Sequence, residues 1–348
     1  MGRRVLVTGA DSFWGGRTVQ AFEADPDTEV VLGLGRRSPS VPFERAEFVR
    51  ADQTYSILSR IVRATQVDTI IHTSMVVDST LIRDRAMHET NVIGTLNLLA
   101  AAGAPGSPVR HVVVKSSSLV YGSSARDPNV FTEDTPRAAP PATAVERSLV
   151  EAESLVRDFA LDNPGTLVSV LRCANVLGPG LDTPISRNLA RPLFPVVFGY
   201  DPLVAFVSED DVIAAFAHVV RGQLPGVFNV AGRGRLTVSE VVAIAGARAL
   251  PLSPLQTSWA AAPLVRLGLI DFPPELASLL RYGRGMDTSR LRRTGFEYRD
   301  SSAGALHDLV RSIRLRRHAG LRAPAYTYEH DVEQFFRHSP AVAPRPGD

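Results

Sequence analysis

Short apolar runs alternate with amphipathic stretches through the first half of the chain, and no other feature restricts its fold as much. Val5–Thr8, Val30–Leu34, Phe48–Asp52, Thr69–Thr73 and Val109–Lys115 are the runs, and Gly15–Ala24, Ile57–Ala64 and Thr90–Ala102 lie between them with helical spacing. Strands that are apolar on both faces belong inside a layered fold. Strand–helix–strand repetition closes into right-handed crossovers and a parallel sheet. The expectation is an α/β fold, a doubly wound parallel sheet. Ser123–Ala142 reads as a loop, Thr143–Leu161 as a helix and Leu167–Val176 as a further strand. The later chain is less regular. A helix is expected over Asp210–Gly222, a strand over Val227–Val230, and helices over Thr237–Ala249 and Ala303–Arg317. Pro251–Pro274 has no clear period.

The first strand runs into Gly9-Ala10-Asp11-Ser12-Phe13-Trp14-Gly15 and then a helix. Backbone N–H groups at such a turn, with the positive end of a helix, suit a pyrophosphate. Gly9 and Gly15 fit a G-x-x-G-x-x-G loop with Ser12 in the middle place, where a hydroxyl can donate instead. A tight turn with no ligand has the same outline. The second strand ends in Gly35-Arg36-Arg37, where an NAD site places a carboxylate for the ribose. A guanidinium fork suits a 2′-phosphate. The cofactor expectation is NADP favoured and NAD possible, against a merely solvated basic turn.

At 348 residues the chain is long enough for roughly two domains, or one large domain with an added lobe. Its formal charge of +2 supplies no general attraction for nucleic acid or membranes. Of 38 Lys and Arg residues, all are Arg except Lys115, which makes that position worth locating. Cys173 is the sole cysteine, so no intrachain disulfide forms, and a buried structural thiol is expected. No run approaches the ~18 apolar residues of a membrane span. The chain enters a strand by Arg4 with no cleavable apolar segment, so a cytoplasmic protein is expected. No His, Cys and Asp spacing points to a metal.

Further landmarks follow in order. They are Asp52-Gln53, Ile70-Ile71-His72-Thr73, Asn91-Val92-Ile93-Gly94-Thr95 and Ser116-Ser117-Ser118-Leu119-Val120-Tyr121-Gly122. Beyond them stand Arg172, Asn175, Gly178-Pro179-Gly180 and Phe206-Val207-Ser208-Glu209-Asp210-Asp211. With the glycine turn, this series resembles the extended short-chain dehydrogenase/reductases. That is the NAD-dependent epimerase/dehydratase group to which UDP-glucose 4-epimerase belongs. The resemblance spans about residues 3–315 and implies a Rossmann-like sheet with a smaller C-terminal substrate lobe. It divides the chain into residues 1–165, mainly dinucleotide-binding, 166–322, completing the sheet and forming the lobe, and a tail over 323–348. The cofactor contacts expected are Gly9, Asp11, Ser12, Phe13, Trp14 and Gly15 of the turn, Arg36 and Arg37 of the strand end, Asp52 by the resemblance, and Gln53, Thr73, Asn91 and Lys115. Asn91 reads first as a tie between backbone segments. Lys115, on the Ser117 face of its strand, reads equally as a snorkelling or ion-paired lysine. Ser117, Tyr121 and Asn175 are the implied substrate contacts. It also implies a homodimer paired through the helix Thr143–Leu161, with Val150, Leu155, Val156 and Phe159 as its apolar outer face.

One departure matters most. The family's Tyr-x-x-Ser-Lys helix aligns here as Val145, Ser148 and Leu149. The Tyr is the acid/base, and the Lys lowers its pKa and holds the ribose; Val and Leu do neither. The arginine that clamps a sugar nucleotide's diphosphate aligns near Val204. Three readings follow. The chain binds NAD(P) without ordinary turnover, as a sensor or scaffold. Or it is an epimerase, dehydratase or reductase using displaced residues, with Lys115 and Ser117 as catalytic candidates and Tyr121 beside them. Or a Tyr from elsewhere enters the site.

Overall fold

A computed structural model describes residues 2–254 and 257–319. The tail expected over 323–348 lies outside the described residues. Seven strands form the central sheet: β1 (Arg3–Thr8), β2 (Thr28–Gly35), β3 (Glu47–Arg50), β4 (Thr69–His72), β5 (His111–Ser117), β6 (Leu167–Cys173) and β7 (Gly226–Val230). Their spatial order is β7-β6-β5-β4-β1-β2-β3, and every pair is parallel. The chain winds outward from β1 in one direction, then returns to β4 and winds in the other. This is the expected doubly wound, Rossmann-like fold. Val5, Leu6, Val7, Val112, Val113 and Val114 are almost wholly buried, as continuous apolar strands require. The switch in winding opens a crevice beyond the carboxyl ends of β1 and β4, where such folds bind ligands.

The stretch expected as one strand over Leu167–Val176 breaks at Ala174. Leu167–Cys173 pairs within the sheet, and Asn175–Leu177 pairs with Phe206–Ser208 outside it. This change of partner carries the chain into the lobe. The lobe has its own apolar core, which includes Leu189, Phe194, Phe206, Leu279 and Leu306. The unperiodic stretch resolves into a strand, Arg248–Leu252, paired with Leu193–Val197, and a helix, Thr257–Arg266. The helix before it ends early, at Ala245, because Gly246 takes a left-handed conformation with φ 67°.

The helix expected over Thr90–Ala102 begins earlier, at Asp84, and carries a π turn at Glu89–Ile93 before Gly94–Ala102. It packs beside the helix Ala144–Asp162. Val156 and Phe159 of that second helix face the molecule's own core, and Val150 and Leu155 pack partly against it. Val156 and Phe159 therefore do not belong to the apolar outer face expected for a dimer, while Val150 and Leu155 stay partly exposed. The large apolar side chains exposed here are Ile93, Leu96 and Leu161.

Candidate functional site

The glycine turn is built as a phosphate cradle requires. Gly9 has φ +76°, and a side chain on Gly15 would come within 2.1 Å of the Gly9 carbonyl oxygen, so only hydrogen fits there. Ser12 caps the helix Phe13–Glu23: its hydroxyl accepts from the Gly15 N–H at 3.2 Å and donates to the Gly9 carbonyl at 2.7 Å. Its hydroxyl is thereby occupied, and the first turn of the helix begins directly behind the carboxyl end of β1. Phe13 lies against Gly180, and its ring meets Trp14 edge-on at 5.4 Å.

At the end of β2 the basic side chains are paired. Arg36 meets Asp52 at 2.8 Å, and Arg37 lies 3.7 Å from Asp11. The Asp11 carboxylate also accepts the backbone N–H groups of Arg36 and Arg37, each at 3.2 Å. Asp11 thus stands beside Gly35 where the sequence showed no acid, a consequence of the turn folding over β2. Gln53 donates to Ser74 at 2.5 Å, while its Oε1 is buried without a partner among the described residues. A buried orphan acceptor beside Gly94, on a side chain tied through Ser74 to the Gly9 turn, fits the adenosine end of a dinucleotide whose pyrophosphate lies on that turn.

Of the residues named for the cofactor, Thr73 has its hydroxyl engaged within the sheet, and Asn91 takes the structural role first expected of it. The Thr73 hydroxyl donates to the Thr8 carbonyl at 2.7 Å and ties β4 to β1. Asn91, in the π turn, accepts from the Val76 N–H at 2.7 Å and donates to the Val76 carbonyl and the Ser148 hydroxyl at 2.8 and 3.0 Å. It splices three segments together. His72 bridges Thr8 and Thr95 at 2.7 and 3.0 Å, and burial lowers its pKa to about 4, so it stays neutral.

Lys115, Ser117, Asn175 and Trp14 do come together. They line one cavity between the sheet's carboxyl edge and the lobe, with Cys173, Glu275 and Arg284. Its volume of about 110 Å³ is well below the ~300–1,000 Å³ of an ordinary ligand pocket, so it admits one end of a ligand. Lys115 is 2 % exposed, and its ammonium lies 5.1 Å from the centre of the Trp14 ring. It has no carboxylate within ion-pair distance among the described residues, and burial pulls its pKa down, with the neighbouring Cys173 opposing weakly. The same burial pushes the Cys173 thiol up to about 11, so it is inert. Ser117 accepts from the Leu119 N–H at 3.3 Å. Asn175 donates to the Ala205 carbonyl at 3.2 Å.

Tyr121 is not in this cavity. Its hydroxyl donates to Asn229 at 2.7 Å and receives Arg172 at 3.0 Å, and burial raises its pKa to about 12. Arg172 in turn holds Glu153 at 2.6 Å, and Glu153 accepts from Ser116 at 2.5 Å. Tyr121 is a strut in a buried polar network. Val145 and Leu149 are fully buried in the core, as is Val204 in the lobe. The sequence reading missed Glu275 and Arg284. Arg284 is buried with the Gly122 carbonyl and the Ser123 hydroxyl as its partners, at 2.9 and 2.8 Å. Among the described residues no cluster of His, Cys, Asp and Glu is arranged to hold a metal, and no helix is long and apolar enough to cross a membrane.

Fold, glycine cradle and a crevice at the topological switch define a dinucleotide-binding protein of the epimerase type. The sequence model of the NAD dependent epimerase/dehydratase family matches residues 5–231, and the chain belongs to that family. It is similar to an uncharacterized protein of Mycobacterium tuberculosis, 35 % identical over 88 % of this chain and 83 % of the relative. It is also similar to a dTDP-glucose 4,6-dehydratase of the same organism, 30 % identical over 66 % of this chain and 73 % of the relative. Among solved structures, DesIV of Streptomyces venezuelae, a dTDP-glucose 4,6-dehydratase with NAD bound, superposes with a TM-score of 0.68. That match is 25 % identical and covers 90 % of this chain and 98 % of DesIV.

Proposed function

We propose that this chain binds NAD or NADP in the crevice beyond β1 and β4, takes one end of a sugar-nucleotide-like ligand against Ser117 and Asn175, and lacks ordinary Tyr/Lys turnover. The observation that carries this is the burial of Val145 and Leu149 in the apolar core. By the resemblance drawn from the sequence, they take the places of the family's Tyr and Lys. A bound nicotinamide supplies hydride exchange; the chain's own groups bind and orient. A Tyr supplied from elsewhere finds no support among the described residues, because no tyrosine lines the cavity. On this reading the chain is a sensor or scaffold. A second reading, an enzyme with displaced residues, is favoured by one observation: Lys115, buried beside Trp14 without a carboxylate, lies two residues from Ser117 on the same face of β5. An ammonium there would hold ribose and lower the pKa of a nearby hydroxyl.

For the cofactor we propose a modest NADP preference. Arg36 and Arg37 offer a 2′-phosphate their guanidinium groups, but each is already near a carboxylate, Asp52 or Asp11. Calorimetric titration with NAD and NADP tests the binding, and Arg36→Ala should erase any preference. Binding of neither cofactor would refute the site. UDP-glucose/UDP-galactose epimerisation should be absent or far below a typical enzyme's turnover of about 10 s⁻¹, and turnover near that value would refute the loss of Tyr/Lys catalysis.

A further inference from the structure

Glu275 opens the lobe helix Pro274–Tyr282 and is 6 % exposed. Its Oε1 accepts from the Ser79 N–H at 3.1 Å and from the Ser79 hydroxyl at 2.8 Å. Its Oε2 is buried with no hydrogen-bond partner among the described residues, and Glu275 lines the cavity that also holds Lys115, Ser117 and Asn175. A buried acceptor without a donor is destabilising and calls for an explanation. The bonds from Ser79 fix the carboxylate's aim but account for only one oxygen. The cavity's other charged groups have other partners. Asp78 is bound by Thr80 and by Arg187, the latter at 3.0 Å. Arg284 holds Gly122 and Ser123, and Lys115 rests on Trp14. None of these cations is within ion-pair distance of Glu275. One carboxylate oxygen is thus left over, on the lobe side, opposite the residues placed at the carboxyl end of β5.

We propose that Glu275 sets ligand specificity in this cleft: its free oxygen accepts a hydroxyl of a neutral sugar and turns away a sugar that carries a carboxylate. The inference rests on the cleft assignment made above. A neutral hydroxyl satisfies the orphan oxygen. Asp78 is matched by Arg187, so a uronate would set its negative charge against the unmatched Glu275 oxygen in a small cavity, where like charges repel strongly.

The test uses the full chain saturated with whichever of NAD and NADP binds more tightly. UDP-glucose and UDP-glucuronic acid are each titrated in by calorimetry. The wild type should favour UDP-glucose by at least about ten-fold, the scale of a buried like-charge penalty. Glu275→Gln keeps the shape and removes the charge, so it should bring the two affinities within about two-fold of each other while leaving cofactor affinity unchanged. If Glu275→Gln does not fold, Ser79→Ala removes one of the donors that aim the carboxylate and should narrow the preference. Equal binding of the two sugars by the wild type, an unchanged ratio in the variants, or no binding of either sugar to the cofactor-loaded protein overturns the proposal. Failure to bind any cofactor overturns the site assignment itself, and this inference with it.

Discussion

Replacing Lys115 by Met should make the empty protein more stable and the cofactor-binding protein worse. The side chain is 2 % exposed and has the Trp14 ring as its only described partner, at 5.1 Å. Burial lowers its pKa, so the proton it carries in the unfolded chain is disfavoured in the fold. The associated stability is present above the unfolded value of 10.5 and is lost as pH falls, so at neutral pH this lysine is a burden on the free protein. Met has a similar length and no charge. It forfeits a cation–π contact worth about 0.5–2 kcal/mol but relieves a desolvation penalty of several kcal/mol. The unliganded variant should therefore melt higher in a thermal scan at pH 7. If the ammonium meets the cofactor's ribose, the variant loses a charged hydrogen bond worth about 1–3 kcal/mol, or roughly five- to 150-fold in Kd. Calorimetry on the same sample reads that loss. A lower melting temperature with unchanged Kd would refute the argument and leave Lys115 a packing residue seated on Trp14.

A homodimer paired through the helices Gly94–Ala102 and Ala144–Asp162 should expose its dependence on Leu96, which is 46 % exposed beside Ile93. Light scattering should give twice the 37.6 kDa chain mass at micromolar concentration, and Leu96→Glu should return the monomer; a wild-type monomer would refute the pairing. Acid should weaken the fold early. Burial holds His72 and His111 neutral with pKa values of about 4, whereas the unfolded chain protonates both near 6.5. The stability they carry is present above 6.5 and is lost as pH falls towards 4, by about 2 kcal/mol per histidine at pH 5. Urea midpoints at pH 7 and pH 5 should show the drop, and His111→Gln should shallow it; equal midpoints would contradict it.

The sheet was legible because each of its strands is a short apolar run with a turn behind it, a local signal. The site was legible only in part. Lys115 and Ser117 could be placed on one face of a strand by alternation alone. Asn175 joined them because a strand end in this topology points to the same crevice. Glu275 could not be foreseen: its meaning depends on Ser79, 196 residues earlier, and on a helix behind a stretch with no hydrophobic period. Tyr121 misled for the converse reason. It sits in the expected sequence context, but Asn229, 108 residues later, takes its hydroxyl away from the cavity. The pairing of Arg36 and Arg37 with Asp52 and Asp11 was equally invisible, since it arises only when the glycine turn closes over β2.

The packing around Val145 and Leu149 has a consequence for the chain's future. Both are fully enclosed, so a tyrosine ring at the first would overfill a dense interior, at about 1–3 kcal/mol. An ammonium at the second would be sunk in the same apolar core without a counter-charge, a still larger penalty. Trp14 and Lys115 already line the adjoining cavity. A Val145→Tyr, Leu149→Lys double variant should therefore melt below the wild type, as a thermal scan would show. The core around Val145 and Leu149 thus sets a packing and desolvation cost against placing a tyrosine and a lysine on this helix.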